Sequence, residues 1–161
     1  MPLSTIDQTG ITSPVGPLVL TGVTDGSNAS AGAIGEYISS LVGSGVSIPT
    51  TGTVINITSI SLTSGDWDVF GAVTFVSSST AVVTYGRGCV STTSASINFP
   101  YCAGYSNGTG SALIGSADLP VAVPPIRVNV STTTTVYLCA TQGFASGTTS
   151  AYGYIAARRR R

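Results

Sequence analysis

The chain contains no histidine and no lysine. Their absence removes the Ser-His triad, His-ligated metal sites, Schiff-base chemistry and the phosphate-loop lysine together. Charge of either sign is scarce: Asp, Glu and Arg make up 7% of the residues, against about 25% in an ordinary soluble domain, and the formal charges cancel. Such a surface is not that of a typical soluble enzyme, and its solubility must rest on hydroxyls; Ser, Thr and Gly supply 66 of the 161 residues. Long apolar runs are missing too, each being interrupted well before the roughly 18 residues that a membrane-spanning helix needs. The first ten residues, MPLSTIDQTG, lack the basic and apolar regions of a secretory signal. The expectation is a cytoplasmic product with no membrane segment. Disorder is not expected, because low hydropathy and high net charge keep a chain unfolded, whereas 42% of this one is hydrophobic.

Cysteine is sparse and odd in number. Cys89, Cys102 and Cys139 form no CxxC pair and have no histidine to complete a metal site, so buried free thiols are the expected state. Four Asn-x-Ser/Thr triplets, at Asn28, Asn56, Asn107 and Asn129, are what a hydroxyl-rich chain produces by composition and carry no functional weight.

What is present is a β pattern. No window of 11 residues keeps a helical period, while short runs rich in β-branched and aromatic residues alternate with Gly, Pro and Ser/Thr clusters. The runs are Ile34 to Val42, Thr53 to Leu62, Gly65 to Val76, Ala81 to Ser91, Ile126 to Val130, Thr134 to Thr141 and Ala151 to Ala157, with short pieces near Ile48 and Ile97. In GDWDVFGAVTFV, residues Trp67, Val69, Gly71, Val73 and Phe75 share one face, and the other face is also partly apolar. This strand therefore belongs in the middle of a sandwich or against a second subunit. A shift of apolar phase between Ile57 and Ile60 predicts a bulge near Thr58. Asn98 to Leu119, punctuated by Pro and Gly, reads as loop. The fold class is all-β: an antiparallel, jelly-roll-like β-sandwich over residues 31–157, preceded by an extended N-terminal arm at 1–30 and followed by a basic C-terminal tail at 158–161.

Candidate chemistry is thin. Asp66 and Asp68 lie two apart, hence on one strand face, and with Glu36 are the carboxylates from which a glycosidase-like pair would be drawn; a turn Asp beside an outward Asp is the commoner meaning of Gly-Asp-Trp-Asp. No catalytic residue, cofactor or metal is assigned, and the chain is read as a non-enzyme. The run Arg158, Arg159, Arg160 and Arg161 holds four of the six basic residues. It fits a solvated tail or an assembly contact; nucleic acid is not expected, because the rest of the chain offers only Arg87 and Arg127. Within the arm, Leu18, Val19 and Leu20 are the one run able to pair as a strand, and so a second candidate assembly contact. The seven tyrosines are read first as core or subunit-interface packing, and Tyr101 and Tyr105, in the glycine-rich segment, are the candidates for the alternative, stacking on carbohydrate.

GDWDVFGAVTF, followed by STTSASI, PPIRVNVSTTTTVYLCATQGF and TTSAYGYIAARR, resembles a group of tailed-bacteriophage structural domains of tail-fibre tips and head-surface proteins, over about Ala31 to Arg161. The resemblance implies a jelly-roll homotrimer with no cofactor, located on the virion surface and assembled in the bacterial host cytoplasm. Its partners would be itself and the major capsid protein or another virion protein. A capsid decoration (cement) protein is the leading expectation; a short tail fibre or receptor-binding tip contacting host surface carbohydrate is the alternative. The arm holds no heptad or collagen-like run from which a fibre shaft is built.

Overall fold

The computed structural model describes residues 6–7, 10–11, 25–107, 113–114 and 118–160. In the arm, β1 (Ile6–Asp7) and β2 (Gly10–Ile11) pair antiparallel as a small hairpin. The main strands are β3 (Tyr37–Ile48), β4 (Val54–Leu62), β5 (Gly65–Ser77), β6 (Val82–Ser91), β7 (Cys102–Ser106), β8 (Leu113–Ile114), β9 (Asp118–Val130), β10 (Thr134–Phe144) and β11 (Thr149–Arg159). One sheet has the order β3-β11-β5-β9 and the other β4-β10-β6-β7, with β8 beside β6. Along the chain, β3 to β6 alternate strictly between the sheets, and β9, β10 and β11 alternate again after β7. Eight antiparallel strands shared between two sheets in this way form a jelly roll.

The pattern of β5 explains why the sheets close on one another. Trp67, Val69, Val73 and Phe75 are fully buried on its inner face, while Asp68, Phe70, Ala72, Thr74 and Val76 on the outer face are half-buried. Across the core they meet a layer that includes Leu138 and Val136 of β10, Leu62 of β4 and Val90 of β6. Burying a side chain of the Val, Leu or Phe class contributes about 1.5–3 kcal/mol. Gly71 sits in the inner row because a Cβ there would lie 2.5 Å from the Tyr154 carbonyl oxygen of β11.

The bulge expected near Thr58 is present. Leu138 pairs with Thr58 and Cys139 with Asn56, so Ile57 is the extra residue. The insertion changes the phase of β4 and lets both Ile57 and Ile60 point into the core.

Two expectations need correction. The segment from Asn98 to Leu119 is not all loop: a 3-10 turn at Phe99–Tyr101 leads into β7, which pairs along β6. Its sequence, CAGYS, has no apolar alternation to betray a strand. β9 begins at Asp118, well before Ile126, and runs through Pro120, Pro124 and Pro125. It is an edge strand, where a missing N–H costs no ladder bond on the open side, and its register with β5 shifts between Val69/Ile126 and Gly71/Val123, at the two adjacent prolines.

Candidate functional site

Glu36, Asp66, Asp68, Arg127 and the arginines of β11 collect at one end of the sandwich, where β3 starts and β11 finishes. Arg158 and Arg159 lie within β11, which corrects the reading of 158–161 as a tail; Arg161 is outside the described residues. Arg159 is 5% exposed. Its Nε donates to Glu36 at 2.9 Å and its Nη1 to the Ser64 carbonyl at 2.7 Å, and its guanidinium lies 4.2 Å from the centre of the Trp67 ring. The strand period turns it inward while Arg158 faces out, and Arg160 reaches Asp68 at 3.4 Å. Asp66 is buried and accepts two bonds from Arg127, at 2.8 and 2.9 Å. Each carboxylate considered for acid–base work is therefore joined to an arginine. Burial acts to raise the Glu36 pKa, but the Gly32 N–H and the Arg159 guanidinium outweigh it and hold the carboxyl below its usual range.

The outer face of the β3-β11-β5-β9 sheet is apolar toward β3. Leu41 is 75% exposed and stands opposite Tyr154, which in turn stands opposite Ala72. Tyr37 lies on the same face of β3 and Ile34 precedes it; both are exposed. Leu18, Val19 and Leu20, the other expected assembly contact, are outside the described residues.

A groove of about 570 Å³ lies between the edge strand β9 and the segment that joins β6 to β7. Tyr101, Asn98, Asn129, Arg127 and the hydroxyl residues Ser91 to Thr93 line it over a floor of Val90, Val128 and Val130. The two candidates for carbohydrate stacking part company here. Tyr101 is 45% exposed on this groove. Tyr105 instead turns into the core, its ring edge-on to Phe75 at 6.0 Å and its hydroxyl accepting a bond from Gln142 Nε2 at 2.7 Å. Burial pushes the Tyr105 hydroxyl pKa up, with the Gln142 bond opposing. The reason is register: Tyr105 pairs with Gly86, where the missing side chain leaves room for the ring. That pairing is invisible in a lone segment of sequence.

The cysteines also depart from expectation. Cys89 and Cys102 form a disulfide between β6 and β7, with Cα atoms 4.3 Å apart, and only Cys139 remains a buried thiol. Their separation of 13 residues conceals the fact that the register places them directly opposite one another.

No family model matches the chain, and no curated protein matches it. Among solved structures, it is similar to the structure of the infectious bursal disease virus Gt strain, with 13% identity over 89% of this chain and a TM-score of 0.46. It is likewise similar to the crystal structure of the infectious bursal disease virus VP2 subviral particle, with 12% identity over 89% of this chain and a TM-score of 0.45. The chain spans 38% of the length of each of those two chains.

Proposed function

We propose that the protein is a non-enzymatic structural component of a virion, and within that class a homotrimeric decoration protein on the head surface of a tailed bacteriophage. The observation that supports it best is the uncovered apolar face of Tyr37, Leu41 and Tyr154 on a jelly roll nearly devoid of charge. A contiguous apolar patch on such a domain marks a contact surface. A further copy covers it in the trimer, and the arm of residues 1–30, with Leu18, Val19 and Leu20, grips the major capsid protein or another virion protein. Jelly rolls serve capsid and lectin domains alike, so the fold by itself does not separate these roles.

Sedimentation at micromolar concentration should give a trimer that Leu41→Lys converts to folded monomer. A wild-type monomer rejects the assembly. Deleting residues 1–25 should leave the trimer intact and abolish its binding to heads that lack the protein.

A receptor-binding tip that contacts host glycan is the second reading, favoured by the exposed Tyr101 ring on a groove whose Asn98 and Asn129 side-chain amides have no hydrogen-bond partner among the described residues. On that reading Tyr101→Ala weakens cell binding by about 1–3 kcal/mol, as a titration on host cells would measure. Saturable binding to cells combined with none to heads replaces the first reading with the second.

A further inference from the structure

The three cysteines stand in one row across three neighbouring strands. Cys139 of β10 pairs with Cys89 of β6, and Cys89 pairs with Cys102 of β7. Residues directly opposed in a sheet present their side chains to the same face, so all three sulfurs lie on one side. The Cys89–Cys102 Cα distance of 4.3 Å is that of a non-hydrogen-bonded pair. The peptide groups of Cys89 therefore point the other way, toward β10, and Cys89 with Cys139 forms the hydrogen-bonded kind of pair, whose Cα atoms stand about 5.5 Å apart. That spacing lies within the range a disulfide spans. Cys139 thus flanks Cys89 on the side opposite Cys102, where a sulfur nucleophile has to approach if Cys102 is to leave.

We propose that this row is a thiol–disulfide exchange site. The Cys139 thiolate attacks Sγ of Cys89, a Cys139–Cys89 bond forms, the Cys89–Cys102 bond breaks, and Cys102 departs as thiolate and takes up a proton equivalent to the one Cys139 gave away. One disulfide and one thiol stand on each side of the reaction, so neither oxidant nor reductant is consumed. The leaving group is well placed: Cys102 shares a shallow depression with Arg87 and Phe99, and a nearby guanidinium favours a thiolate.

A latch holds the nucleophile back. Asn56 Oδ1 accepts the Cys139 thiol at 3.3 Å and the Ala95 N–H at 2.7 Å, and Asn56 Nδ2 donates to the Ser94 hydroxyl at 2.7 Å. One amide therefore fastens the loop at Ser94 and Ala95 over the thiol. Ala95 has a φ of 48°, the one non-glycine residue with positive φ among the described residues, so the loop is held in a conformation that alanine disfavours. Burial also pushes the Cys139 thiol pKa up, which keeps it protonated while the loop is closed. Once the bond has moved, the half-buried Cys102 becomes a thiol at the surface, where alkylating reagents reach it.

Arginine placement makes the test simple. Trypsin cuts after Arg87, Arg127 and Arg158, so Cys89 and Cys102 share the peptide 88–127 while Cys139 lies in 128–158. The folded protein is incubated with iodoacetamide at pH 9 without oxidant, then acidified, digested and mapped by mass spectrometry. The expected product carries the label on Cys102 and a disulfide linking 88–127 to 128–158. Asn56→Ser should speed its appearance at least tenfold, and Cys139→Ser should give neither the linked pair nor a labelled Cys102. Label on Cys139 alone, an absent linked pair in both wild type and Asn56→Ser, or labelled Cys102 in Cys139→Ser would each overturn the proposal.

Discussion

Replacing Trp67 with alanine should lower the stability of the sandwich by about 3–5 kcal/mol, the range for removing a large aromatic ring from a packed core. The indole has no exposed surface. Its Nε1–H donates to the Thr63 carbonyl at 3.0 Å, so the truncation also removes a hydrogen bond, whose acceptor lies on an exposed residue that water reaches. The cavity opens between the sheets beside Arg159, and its walls belong to strands pinned by long ladders that have little freedom to collapse into it. Denaturant unfolding followed by far-UV circular dichroism would measure the change. A loss below about 1 kcal/mol would show that the ring is not internal.

Arg159→Ala should cost about 3 kcal/mol, because breaking a buried ion pair from one side leaves its partner charge uncompensated. The lower end of the usual range is expected, since the pair lies at the end of the sandwich and an alanine admits water to Glu36. The double variant Glu36→Gln/Arg159→Met should lose less than the sum of the two single changes, which a double-mutant cycle would measure. The pair also sets an acid limit. With the folded pKa of Glu36 depressed, its contribution to stability is complete above the ordinary carboxyl value of 4.5 and is lost as the pH falls through the lower folded value. In the wild type, melting temperature should therefore drop on acidification below about pH 4.5, and a Glu36→Gln variant should lose that part of the dependence.

Features that follow from local pattern were legible in the sequence. The alternation in β5 named its inner face residue by residue, and the apolar phase shift located the extra residue of β4 to within one position of Thr58. Features that depend on which strand lies alongside were not. Pro124 and Pro125 are tolerated because β9 is an edge strand, a fact of topology rather than of composition. The Cys89–Cys102 bond and the inward turn of Tyr105 both follow from the pairing of β7 on β6, and β7 has too few apolar residues to announce itself. The arginines failed differently: a run of four like charges reads as a solvated tail, yet the period of two in β11 sends Arg159 into a carboxylate pocket formed by a residue 123 positions earlier. Tyr101 stands out in the sequence by residue type alone, and the groove around it does not, since its walls come from segments far apart in the chain.

The ion-paired end of the sandwich gives the molecule a polarity. Glu36, Arg159, the start of β10 and the Tyr101 groove all lie at the pole from which the chain leads back toward the arm. The turns at Thr51, Ser78–Thr80 and Ala145–Thr148 lie at the opposite pole, laced together by bonds such as Ser146 Oγ to the Thr80 carbonyl. If the arm tethers the subunit as proposed, that second pole faces outward and is the natural graft point for peptide display. A foreign sequence spliced after Ser79, in an exposed turn, lengthens a loop at a cost of only about 0.6 kcal/mol per doubling. On the same proposal, a fusion placed after Arg160 would crowd the tether, and a glycan in the Tyr101 groove would compete with the docked surface for the same pole.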